Sequence, residues 1–274
     1  LKFKIIFILF NVVVLFSLLM IIFMPVLMLG SEYGFSFFAS IWYVVVLFVV
    51  VIGAVDAYFL INWKLFRFLE EEKWDDLIVF LEKRIEEGKI PGKFAVRIMV
   101  NVYLSRSNLE GIERLGALIK EKRPSLYRKL LLIFTIPVLL KGEPVLIEEM
   151  IAPYVFDKKV NDRLWLKYLL AFSFLLQRKT REGGEILSGL CREKISPVLL
   201  MLVLYSFSSF AEDDSDKTCI DEKKVFLRDK YSAESMGLQI EKDRSNVIVA
   251  VLSGVVNEAL DWLYDNTRKI EIEE

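Results

Sequence analysis

The chain contains no histidine among its 274 residues. That absence removes the side chain most used for proton transfer near neutral pH, and the commonest protein ligand for zinc. Cysteine is scarce as well. Cys191 and Cys219 stand 28 positions apart, form no C-x-x-C pair, and are expected to be free thiols. Walker loops, glycine-rich phosphate loops, metal-ligand clusters, nucleophile–base pairs and kinase-like signatures are absent, and the acidic run at residues 212–216 lacks the residue order of an EF-hand loop. It reads as a solvated loop. The expectation is a protein that is not an enzyme, with no catalytic, cofactor-binding or metal-binding residue.

Charge is missing locally. Before Lys64 only Lys2, Lys4, Glu32 and Asp56 are charged, although the chain carries 36 basic and 37 acidic residues. The remaining three quarters mix both signs, and a net charge of −1 gives no reason to expect nucleic-acid binding. The change near residue 63 divides the chain into a membrane segment, 1–63, and a soluble domain, 64–274.

Within the first segment, residues 5–29 lack any charge, and residues 35–61 carry only Asp56. Each run exceeds the ~20 helical residues needed to cross ~30 Å of hydrocarbon. Residues 30–34, with glycine at both ends, predict a tight turn and hence a two-helix transmembrane hairpin. The first run is longer than a signal-peptide core and is followed by no small-residue cleavage site, so it is expected to stay. Lys2 and Lys4 precede one span, Lys64, Arg67 and Lys73 follow the other, and the turn has no basic residue. The positive-inside bias therefore predicts that both termini and the soluble domain are cytoplasmic. Asp56 is expected at the cytoplasmic interface beside Trp63 and Lys64.

Beyond residue 63 apolar residues recur every three to four positions, which predicts an all-α domain. Amphipathic helices are expected to start at Trp74, Leu109, Pro144 and Arg181, with spacings of 35, 35 and 37 residues. The apolar helices at 130–140, 168–176 and 198–205 are too short to span a bilayer and are expected to form a central layer. The last helix, 245–267, aligns Ile248, Val251, Leu252, Val255, Val256, Ala259, Leu260 and Leu263 on one stripe and is expected to cap the array.

With this period the chain resembles the tetratricopeptide repeat family, whose unit is a 34-residue helix–turn–helix. In residues 95–124, Met99 and Tyr103 take the large apolar and tyrosine positions, and Pro124 closes the unit. In the unit ending at Pro197, Gly184 and Cys191 occupy positions that the family fills with small residues for close packing. Val100 and Ile112 depart from the pattern, and Pro137 interrupts a first helix. The resemblance covers residues 58–231 and implies an α-solenoid of stacked helix pairs that binds a protein partner. It also implies a test for a carboxylate clamp: Arg97 and Asn101 match its first pair, whereas Ile133 and Leu170 stand where the later units need Asn and Arg.

A second candidate surface is basic. Lys120, Lys122, Arg123, Arg128 and Lys129 surround one turn, opposed only by Glu121, and suit anionic lipid headgroups or an acidic partner. The functional expectation is a membrane-anchored scaffold or adaptor that binds an unidentified protein partner. The alternatives are a structural or assembly subunit of an envelope machine for secretion or motility, and, more remotely, an enzyme or transport component.

Overall fold

The computed structural model describes residues 3–157, 159–211, 213–243 and 247–270. Among the described residues every regular element is helical and there is no strand, as the apolar spacing predicts. The chain divides into two compact units, Leu1–Lys89 and Ile90–Glu274.

The first unit contains α1 (Phe3–Leu29), α2 (Ser31–Ile61), α3 (Trp63–Glu70) and α4 (Trp74–Glu86). Both α1 and α2 are long and apolar enough to cross a membrane, and none of the residues in their most apolar stretches, Lys4–Ile21 and Trp42–Ile61, is buried. The two helices pack antiparallel: the Phe7 ring lies 5.5 Å from that of Phe59, and the Phe59 ring stacks on Phe66 of α3 at 5.2 Å. The expected five-residue turn is much shorter. Gly30 alone leaves the helical conformation, with φ of +81°, and the chain is already helical from Ser31. One positive-φ residue redirects a helix without further spacer, and glycine adopts it at no steric cost. As a result α2 has 31 residues, or about 46 Å at 1.5 Å per residue. Lys2 lies outside the described residues.

The second unit holds α5 (Lys93–Ser105), α6 (Leu109–Lys122), α7 (Pro124–Phe134), α8 (Ile136–Lys141), α9 (Pro144–Ile151), α10 (Arg163–Leu176), α11 (Thr180–Arg192), α12 (Pro197–Ser208), α13 (Asp214–Lys230), α14 (Ala233–Asp243), α15 (Val247–Val251) and α16 (Ser253–Ile270). Three of the four expected helix starts coincide with the observed ones, and Arg181 falls one residue inside α11. Local chemistry explains several boundaries. The Asn108 side chain accepts the Gly111 N–H at 2.9 Å and caps α6, while Ser196 caps α12 with Pro197 in its first turn. Gly142, at φ of +69°, ends α8. Pro137 supplies no backbone donor, so the helix expected over 130–140 is two, α7 and α8, separated at Thr135.

The apolar run Val198 to Leu204 is buried throughout, and α12 packs against α10, α11, α13, α14 and α16. It is one of the three apolar helices expected in the central layer. The acidic run is not wholly a loop. Asp214 and Asp216 lie in the first turn of α13, where the helix dipole favours negative charge; Glu212 lies outside the described residues.

The C-terminal expectation is corrected at one point. Residues 247–267 form two helices interrupted at Leu252, with residues 245–246 outside the described residues. The apolar stripe is nonetheless right: Ile248, Leu252, Val256, Ala259 and Leu263 are buried. α16 packs on α12 and α13, the last pair of the expected array, while α15 reaches back to α7 and α8. In a simple solenoid each pair touches only its neighbours. Here the chain folds back over earlier helices.

Candidate functional site

Among the described residues, three clusters of polar side chains bear on function. The first lies inside the hairpin. Asn11, on α1, donates from Nδ2 to the Asp56 carboxylate on α2 at 3.2 Å and to its own helix at Phe7 O, 3.0 Å away. The two side chains that interrupt the apolar faces at this level are thus each other's partners. The sequence has Asp56 as the one charge in residues 35–61 and Asn11 as a polar residue within 5–29. Their pairing was hidden because a register between two helices is not written in either one alone.

The second place is the corner between α6 and α7, which carries the five predicted basic residues. Arg123 ends α6 and Pro124 begins α7, so the turn between them has almost no length. Lys120 sits 5.7 Å from the centre of the Tyr127 ring, while Lys122 pairs with Glu121 at 3.1 Å. Burial pushes the Tyr127 hydroxyl up to about 12, so the ring stays neutral under its lysine. Arg128 reaches further, to Asp157 at 3.2 Å in the segment that follows α9. The Lys159 backbone N–H, 2.9 Å from the other carboxylate oxygen, and then Arg128 hold Asp157 below its ordinary range. Tyr154 packs edge-on against Tyr127 at 6.0 Å. The same segment exposes Phe156, at 82 % of its full surface, with Ala152 and Pro153 also exposed. The sequence reading missed Phe156; its signal was a phenylalanine in a proline-containing connection between helices.

The third place is the seam between α11 and α13. Cys191, fully buried, is joined to Cys219 by a disulfide, with Cα atoms 6.9 Å apart. This corrects the expectation of free thiols. A spacing of 28 residues crosses one intervening helix, and α11 and α13 pack against each other across it. Beside the disulfide a groove of about 610 Å³ is lined by Arg181, Ser188, Arg192, Phe207, Phe210 and Asp216 among others. Its polar groups satisfy one another. Asp216 accepts from Ser188 Oγ at 2.8 Å and from Arg192 at 3.2 Å.

The clamp residues do not assemble. Arg97 and Asn101 are exposed on one face of α5, but Leu170 is buried in the core and Ile133 is half-buried, so no groove of matching polar side chains follows. The small-residue assignment in α11 is shifted by one. A Cβ on Gly183 would sit 2.9 Å from Leu175 Cδ2 and 3.2 Å from the Ala171 carbonyl, whereas one on Gly184 would meet only Phe207, at 4.0 Å. Gly183 makes the close approach between α10 and α11. Among the described residues no group of three acidic or cysteine side chains is placed to hold a metal ion.

Comparison with known proteins gives two matches. A family model described as "Uncharacterised Treponema protein" matches residues 111–265, from α6 into α16 and including the basic corner. An "Uncharacterized protein" of Treponema pallidum (strain Nichols) is 20 % identical over 231 residues, which cover 80 % of this chain and 74 % of that protein. No solved structure matches. The tetratricopeptide resemblance rests on residue pattern alone.

Proposed function

The chain belongs to the family described as uncharacterised Treponema protein, and we propose that it works as a membrane-anchored docking module. In this reading α1 and α2 span a bilayer, and the tetratricopeptide-like helix pairs of the second unit bind a protein partner at its surface. The observation that carries the anchor is exposure. Two long helices expose Ile, Leu, Val and Phe over most of their described surface, far more apolar area than a water-facing chain tolerates. The docking role is supported by the helix pairs, which offer extended exposed faces such as that bearing Arg97 and Asn101. No catalytic role is assigned.

Orientation follows from charge. Lys4, Lys64, Arg67 and Lys73 flank one end of the hairpin and residues 30–34 contain no basic residue, which favours both ends in the cytoplasm. The Cys191–Cys219 disulfide pulls the other way, because such bonds persist chiefly in oxidising compartments. We give the charge bias more weight. It acts on insertion of the hairpin itself, whereas two adjacent sulfurs oxidise wherever an oxidant reaches them.

A second reading, a subunit of a larger envelope assembly, is favoured by one observation. Gly53, Ala54 and Ala57 are exposed on α2, and a Cβ on Gly53 would meet nothing within 4 Å, so another helix has room to approach closely. Carbonate-washed membranes followed by crosslinking mass spectrometry test both readings. The expected result is retention in the membrane with reproducible crosslinks from the second unit to one partner. Crosslinks confined to α2 favour the assembly reading, and recovery in the aqueous fraction overturns the anchor.

A further inference from the structure

We propose that the α6–α7 corner is a docking surface for anionic lipid headgroups, with Phe156 as its apolar anchor. The inference rests on the membrane-anchored reading, which keeps this unit tethered to a bilayer. Six basic residues, Lys120, Lys122, Arg123, Arg128, Lys129 and Lys159, gather on two segments joined by the Arg128–Asp157 pair and the Tyr127–Tyr154 contact. Two acids belong to the same corner. Glu121 is tied to Lys122 and Asp157 to Arg128, which leaves an excess of positive charge.

Charge alone suits any acidic partner; Phe156 selects the lipid. A phenylalanine left 82 % exposed in a connection beside Ala152 and Pro153 has no counterpart inside the protein. At a bilayer surface it enters the headgroup–acyl boundary, while the surrounding lysine stems lie along that boundary with their ammonium groups among the phosphates. A solvent-facing basic turn needs no such aromatic. The fold ties the two segments together. Tyr127 is buried beneath Lys120, and the hydrogen bond from the Lys159 N–H to Asp157 fixes the segment that carries Phe156.

The test uses the full chain in lipid nanodiscs, made either of phosphatidylcholine alone or with a third of phosphatidylglycerol. Hydrogen exchange is followed by mass spectrometry over residues 120–129 and 152–160. The expected result is at least threefold slower exchange of both segments in the anionic discs, with α12 unchanged. The effect should vanish in 0.5 M salt, where screening is nearly complete beyond about 4 Å. It should also vanish in the variant K120Q/K122Q/R123Q/K129Q, which leaves the Arg128–Asp157 pair intact, and it should weaken in F156S. Equal exchange in the two kinds of disc overturns the proposal, as does protection that survives both salt and the four Gln substitutions. The salt titration of the unaltered chain decides the matter even where a variant folds poorly. Failure of the chain to enter discs at all instead overturns the membrane reading beneath it.

Discussion

Gly183 and Gly184 are neighbours in α11, yet a methyl group added to each should move stability in opposite directions. Both positions are helical, so alanine gains about 1 kcal/mol of helix propensity over glycine at either one. At Gly184 little opposes that gain, since the nearest atom to a new Cβ is Phe207 Cε2 at 4.0 Å. At Gly183 the new Cβ would lie 2.9 Å from Leu175 Cδ2 and 3.2 Å from the backbone oxygen of Ala171. The leucine tip can swing away, but the carbonyl cannot move without parting α10 from α11, and such overpacking costs about 1–3 kcal/mol. The two variants should therefore differ by about 2 kcal/mol, with G184A above the parent and G183A below it. For a domain of this size that separates their midpoints by about 4–8 °C. Thermal unfolding of detergent-solubilised protein, followed by far-UV circular dichroism, reads the difference directly. If G183A melts with or above G184A, the close approach assigned to Gly183 is wrong.

Acid should weaken the second unit in part through Glu148. Lys179, and then Gln177, hold its carboxylate below the ordinary value of 4.5, so the pair's contribution is present above that value and is lost as pH falls through the lowered one. Glu148→Gln should flatten the stability loss below about pH 4.5 and cost less than about 1 kcal/mol at pH 7, measured by urea unfolding across pH. In the hairpin, Asn11→Leu leaves Asp56 without its partner on α1 and should destabilise the helix pair by about 1 kcal/mol, whereas Asp56→Asn keeps a hydrogen bond and should cost less; SDS titration of the reconstituted protein compares them, and the reverse order would refute the pairing. Reducing the Cys191–Cys219 disulfide should destabilise the second unit by about 2–4 kcal/mol, read as a lower urea midpoint; an unchanged midpoint would refute the cross-link.

Much of this architecture was readable from local chemistry. Residue spacing predicts the helices from Trp74, Leu109 and Pro144 because proline and polar turn residues act within a few positions. The burial of Val198 to Leu204 follows from composition alone. What escaped depends on contacts between distant segments. Cys191 and Cys219 meet because α12 folds between their helices, Asn11 meets Asp56 because the hairpin has a particular register, and Gly183 rather than Gly184 faces α10 because of a rotation of about 100° per residue. The basic corner was visible since its five residues are near in sequence. Phe156 joined it only through the Arg128–Asp157 contact.

The return of α15 and α16 over earlier helices imposes an order on biogenesis. The hairpin leaves the ribosome before α12, and α12 emerges with its leucine-rich flank open, because α16, which covers it, is made later. A chain stopped before Ser253 is therefore not a shorter working version, as a truncated linear array would be, but an unfinished globule with its centre laid bare. Such a fragment invites chaperones and proteases, so partial translation products should be cleared while full-length chains persist.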